Sequence, residues 1–139
     1  MRMLGGVIAQ RVALLALCAA YLQGGLDKLL DFAGAAAEMQ HFGLPLPALL
    51  AALVIVLELG ASSLILAGVQ RRASALVLAA FTLAATLLAN RFWELPPPAR
   101  SMAANSFFEH VGLVGGFLLV AWNERRPRDP MRPASAGGR

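Results

Sequence analysis

A chain of 139 residues has the length of one domain. It is 58% hydrophobic and only 14% charged, with a mean hydropathy of +0.65, whereas a water-soluble domain carries about 25% charged residues to wet its surface. Its net charge of +4 suggests a nucleic-acid binder, but such a module needs a broad polar face as well as positive charge. The single cysteine, Cys18, excludes an intrachain disulfide, a CxxC pair and a thiolate zinc cage.

Crossing a bilayer takes roughly 20 apolar residues, and four stretches qualify, at about 4–30, 46–69, 73–90 and 107–122. The first has its apolar heart at Val12 to Leu22, the second contains one charge, Glu58, and the third is uncharged but carries Thr82 and Thr86. The fourth opens on Glu109 and His110, flanked by Phe107, Phe108 and Trp122 as interfacial aromatics. A cleaved signal peptide at the N-terminus fits poorly, because Arg11 would split its apolar core. The expected fold is all-α, an integral membrane four-helix bundle.

The first loop is Ala-rich from Ala33 to Phe42 and ends at Gly43-Leu44-Pro45, which predicts a short helix at the outer interface. Arginines gather at the N-terminus, at Arg71-Arg72 and in the tail, so the positive-inside rule puts both termini in the cytoplasm. The tail, 124–139, is rich in Arg, Pro, Gly and Ser and is expected to be disordered.

Charges inside a span should be paired or face an internal cavity. Counting from the outer ends at Leu26 and Leu46, Arg11 lies about 22 Å down helix one and Glu58 about 18 Å down helix two at 1.5 Å per residue. The expectation is a structural ion pair between Arg11 and Glu58. A second polar set lies near the outer surface: Gln23 and Lys28, Asn90 and Trp93, and Glu109 with His110. Lys, His and Asn are donors suited to quinone carbonyls, and Trp93 could stack on the ring. Gly24-Gly25, Gly60 and Gly115-Gly116 allow close helix approach. With only His41 and His110 in the chain, and no Cys or His cluster, neither a membrane haem nor a metal site is expected.

The run Tyr21 to Gly34, then Gly43-Leu44-Pro45, Glu58-Leu59-Gly60, Asn90-Arg91-Phe92-Trp93 and Phe107 to Gly116 resembles the DoxX family of small bacterial four-helix membrane proteins. The resemblance implies a cytoplasmic-membrane location and a loose link to quinone chemistry, since the family is similar to the membrane subunit of thiosulfate:quinone oxidoreductase. It also implies that many members have His at the position of Asn90 and Asn at that of His110. Such an exchange is what two touching residues allow, so Asn90 and His110 are expected in side-chain contact.

The functional expectation is a membrane subunit or anchor of a quinone-linked redox system, with no self-contained catalytic motif and no intrinsic cofactor. Its partners are the lipid bilayer and a redox protein, with a homo-oligomer left open and no nucleic acid. The competing class is a non-enzymatic membrane scaffold or small-solute carrier.

Overall fold

The computed structural model describes residues 2–124; the expectation of a disordered tail therefore falls outside the described residues, apart from Glu124. Five α-helices follow one another: α1 (Arg2–Leu30), α2 (Phe32–His41), α3 (Pro47–Ala67), α4 (Arg71–Ala89) and α5 (Ala99–Asn123), with a 3-10 turn at Phe92–Glu94. Four of them, all but α2, are long and apolar enough to cross a membrane. The bundle has a loop end, where α2 and the α4–α5 connection lie, and a terminal end, which holds the start of α1, the α3–α4 turn and the end of α5.

The distribution of polarity identifies the solvent. Val12, Val56 and Leu119 are each more than 60% exposed, while Glu58, Ser62, Ser74, Thr82 and Thr86 are buried. A water-soluble bundle sorts these groups the other way. In lipid the arrangement follows directly, because the outer surface meets hydrocarbon and polar groups must be satisfied inside.

Local chemistry sets the helix ends. The Asp31 carboxylate accepts from the Gly34 backbone N–H at 3.0 Å and caps α2. Pro47 begins α3, where its missing N–H costs nothing. Gly68, at φ 78°, closes α3 in the left-handed conformation that glycine adopts without strain. Arg71 Nε donates to the Ile65 carbonyl at 3.0 Å, satisfying one of the last acceptors of α3.

α5 begins at Ala99, eight residues before the expected start near 107. The sequence Ala99 to Ser106 is too polar to register as a span, yet Ala, Arg and Met favour helix, and the turn begins as soon as Pro98 is passed.

The packed centre joins Leu14, Cys18 and Tyr21 of α1, Ile65 of α3, Leu78 of α4 and Phe117 of α5. Tyr21 and Phe117 meet edge to face at 5.3 Å. A smaller cluster seats Ala35 and Met39 of α2 on Ala51 of α3. The first-loop helix thus exists as expected, and its apolar face packs on the first half of α3.

That packing sets the register of α1 against α3. A Cβ added to Gly25 would lie 2.8 Å from Leu59 Cδ2 and Cγ, so the backbone of α1 passes close enough to α3 that only glycine fits. Gly25 is five residues from the end of α1, whereas Leu59 is twelve past the start of α3. The end of α1 therefore stops about 10 Å short of the level of the start of α3, and α2 occupies the space above it.

Candidate functional site

The register decides which charge meets Glu58. The expected pair of Arg11 and Glu58 does not form. Arg11 is exposed and lies thirteen residues before Gly24, about 20 Å down the helix from the level of Glu58. Lys28 is the partner instead, its Nζ donating to Glu58 Oε2 at 3.2 Å and to Oε1 at 3.4 Å. The sequence estimate failed because it set the ends of the two helices level.

The carboxylate of Glu58 is nearly buried and the Lys28 side chain is 22% exposed. Lys28 also donates to the Gly24 carbonyl at 3.5 Å. Gly24 lies directly beside the carboxylate, since a Cβ built there would be 3.8 Å from Glu58 Oε2.

This pair forms part of the wall of a half-open cavity of about 380 Å³ lined by residues of α1, α2, α3, α4 and α5. Its apolar lining includes Met39, Phe42, Val54, Phe81, Leu88 and Leu113, and its polar lining includes Tyr21, Lys28, Glu38, Glu58, Thr82, Asn90 and His110. A mostly apolar space with a few convergent polar groups is the usual form of a small-molecule site.

The polar groups are held by their own helices. On α4, Thr82, Thr86 and Asn90 recur every four residues and share one face. Thr82 Oγ1 donates to the Leu78 carbonyl at 2.6 Å and shares a second hydrogen bond with the Tyr21 hydroxyl. Asn90 Nδ2 donates to Thr86 Oγ1 at 3.1 Å. His110 Nδ1 lies 2.6 Å from the Ser106 carbonyl. A carbonyl can only accept, so Nδ1 carries the hydrogen and Nε2 of a neutral ring keeps a free lone pair.

Among the sequence candidates, Lys28, Asn90 and His110 line this cavity; Gln23, Trp93 and Glu109 do not. Gln23 is exposed and donates to Asp27. Trp93 is 49% exposed and packs edge to face on Phe92 at 5.2 Å and Phe107 at 5.9 Å, within an aromatic group at the loop end. Glu109 is exposed on α5. Asn90 and His110 border the same cavity, yet no hydrogen bond joins them among the described residues; each turns instead to a group on its own side of the connection, at Thr86 and Ser106.

Sequence reasoning did not single out Tyr21, Glu38 and Thr82, which line the cavity, and gave a structural role to Glu58, which lines it too. The fourfold spacing of Thr82, Thr86 and Asn90 was a usable signal, because hydroxyls repeated on one face of an otherwise apolar span mark the side that meets protein. Glu38 could not have been found, since its position depends on how α2 packs. Among the described residues no group of three or more His, Cys, Asp or Glu could hold a metal ion.

Comparison with known proteins agrees with this architecture. The inner membrane protein YphA of Escherichia coli is 28% identical over 110 residues, covering 79% of each chain. The inner membrane protein YqjF of the same organism is 31% identical over 116 residues, 84% of this chain and 82% of that one. No solved structure matches the chain. The family model described as DoxX matches residues 10–91, and this chain, a membrane protein with four spanning helices, belongs to the DoxX family.

Proposed function

We propose that the protein is the membrane subunit or anchor of a quinone-linked redox system in a bacterial inner membrane, with the quinone ring seated in the cavity beside Lys28 and Glu58. The observation that carries this reading is the composition of the cavity wall: apolar side chains along most of it, and an ammonium, an amide and an imidazole bordering the same space.

These residues fit a quinone headgroup. The Lys28 ammonium and the Asn90 amide are donors for carbonyl oxygens, and Phe42 and Phe81 supply flat apolar surface. A bound quinone supplies two-electron chemistry coupled to protons. The chain's own part is to hold the ring, to keep bulk water from it and to handle protons. The free Nε2 of His110 accepts a proton in its neutral form, and the imidazolium returns one. Glu58 balances the charge of Lys28 and keeps the ammonium at the wall.

Both termini belong to the cytoplasmic side in this proposal. Arg2, Arg11, Arg71 and Arg72 belong to the terminal end, with five more arginines following in the sequence from 125 to 139, against Lys28, Arg91 and Arg100 at the loop end. Excess Lys and Arg mark cytoplasmic loops. Alkaline phosphatase fused after Asn123 is then inactive and the same fusion at Pro97 active; the reverse pattern would invert the topology.

Purification in native lipid with analysis of the bound small molecules tests the function. Near-stoichiometric quinone that disappears in Ala85→Trp, which fills the cavity from α4, supports the reading. Lipid without quinone, and no quinol-dependent activity in membranes, would instead favour a scaffold or small-solute carrier.

A further inference from the structure

A second cavity of about 340 Å³ lies toward the terminal end, lined by residues that include Gln10, Leu14, Leu17, Arg71, Gly116, Asn123 and Glu124. Its polar rim holds Arg71, whose Nη1 donates to Glu124 Oε1 at 2.9 Å.

The two cavities approach each other along the seam of α1 and α5. On α1 the loop-end cavity reaches Ala20 and the terminal-end cavity reaches Leu17; on α5 the corresponding limits are Leu113 and Gly116. Three residues of helix, about 4.5 Å of rise, separate them on either wall. The closure is made by Leu17 lying on Gly116, where an added Cβ would be 2.9 Å from Leu17 Cδ1, and by the edge-to-face contact of Tyr21 with Phe117.

Buried polar groups lie behind this closure, where Cys18 packs in one cluster with Tyr21 and Phe117. Ser62 is one turn beyond Glu58 on α3, fully buried, and its Oγ has no hydrogen-bond partner among the described residues. The Cys18 thiol is its neighbour. One turn up α1 the Tyr21 hydroxyl meets Thr82. An unpartnered hydroxyl in a membrane bundle is costly, and hydroxyls beside an intramembrane carboxylate are the usual components of a proton relay.

We propose that the terminal-end cavity is a water-filled entrance for protons, and that Ser62, Cys18 and the Tyr21–Thr82 pair relay them to Glu58. Each transfer breaks one O–H or S–H bond and forms another: water gives a proton to a lone pair of Ser62, whose own proton moves on through Cys18, Tyr21 and Thr82, with water spanning the gaps. The Glu58 carboxylate accepts the proton and releases it into the loop-end cavity. No electron moves in these steps. The ionisable groups that line the same cavity as Glu58 are Lys28 and Tyr21 from α1, Glu38 from α2 and His110 from α5, and α4 adds the Thr82 hydroxyl beside apolar side chains, with the Asn90 amide at its end. The inference rests on the quinone reading only for what uses the proton.

Proton flux into proteoliposomes, driven by a potassium diffusion potential with valinomycin and read by an internal pH dye, tests the relay without quinone. The purified chain is expected to carry protons at least tenfold faster than empty liposomes. Ser62→Ala and Glu58→Gln return flux to the empty-liposome rate, Ser62→Thr keeps it, and Leu119→Ile on the lipid face leaves it unchanged. Ser62→Ala only removes an unpartnered hydroxyl, so it folds. Leu17→Ala opens the closure and raises both flux and the rate at which an impermeant thiol reagent modifies Cys18 by about tenfold. Flux of the unaltered chain at the empty-liposome rate, or flux indifferent to Ser62→Ala, overturns the proposal. Either result leaves quinone binding in the loop-end cavity standing, and loss of quinone binding with flux intact would overturn only the redox reading.

Discussion

Replacing Lys28 by Met tests the register of the bundle. The ammonium is 3.2 Å from a carboxylate whose residue is only 6% exposed, so the substitution strands a buried charge. Removing one partner of a buried pair costs about 3 to 5 kcal/mol. The Lys28 side chain is partly exposed, which admits some water to the carboxylate and places the expected loss near the low end, at about 3 kcal/mol. Glu58→Gln is milder, about 1 to 2 kcal/mol, because the remaining ammonium can turn toward water. The double substitution Lys28→Met with Glu58→Gln replaces both charges with neutral groups of similar volume and should recover most of the loss. Reversible unfolding in mixed micelles gives the coupling energy of the cycle, expected at 2 kcal/mol or more. Coupling below about 0.5 kcal/mol would show that the pair does not hold α1 to α3. The same cycle with Arg11→Ala and Glu58→Gln should show none, since Arg11 lies about 20 Å from the level of Glu58.

Gly25→Val is expected to destabilise by about 2 kcal/mol, because its side chain meets Leu59 Cγ as well as a terminal methyl and α1 must move outward; unfolding free energies check this. Phe117→Ala should cost about 3 to 5 kcal/mol, since Phe117 is the largest fully buried side chain and closes the wall between the cavities; the same unfolding measurement reads it. Ser62→Ala should change stability by no more than about 1 kcal/mol in either direction, because the buried Oγ it deletes makes no close hydrogen bond to another described group. A clear destabilisation would show that Ser62 has a partner in the folded protein.

The four spans were legible because hydropathy over 20 residues is a coarse signal that tertiary packing rarely overrides. The first-loop helix was legible from Ala33 to Phe42 for the reason that alanine runs favour helix wherever they lie. The start of α5 was not, since Arg100, Ser101 and Asn105 read as loop on a hydropathy scale although they sit in continuous helix. The partner of Glu58 was the consequential error. It depended on a vertical offset of about 10 Å between α1 and α3, set by Gly25 against Leu59 and by α2 packing on Ala51. No pattern within α1 or α3 taken alone encodes that offset. Lys28, Asn90 and His110, which line the cavity, were singled out from residue chemistry at the outer level of the spans; Trp93, which does not, was not separable from them in sequence, because aromatic anchors and ligand-stacking aromatics occupy the same depth.

Titration of a short-chain benzoquinone into the protein in lipid nanodiscs tests the central claim most directly. The account predicts saturable binding at one molecule per chain, lost in Ala85→Trp and weakened about tenfold in His110→Ala, with the fold of both variants intact by circular dichroism. Uptake that rises linearly with lipid content and is the same in Ala85→Trp would contradict it.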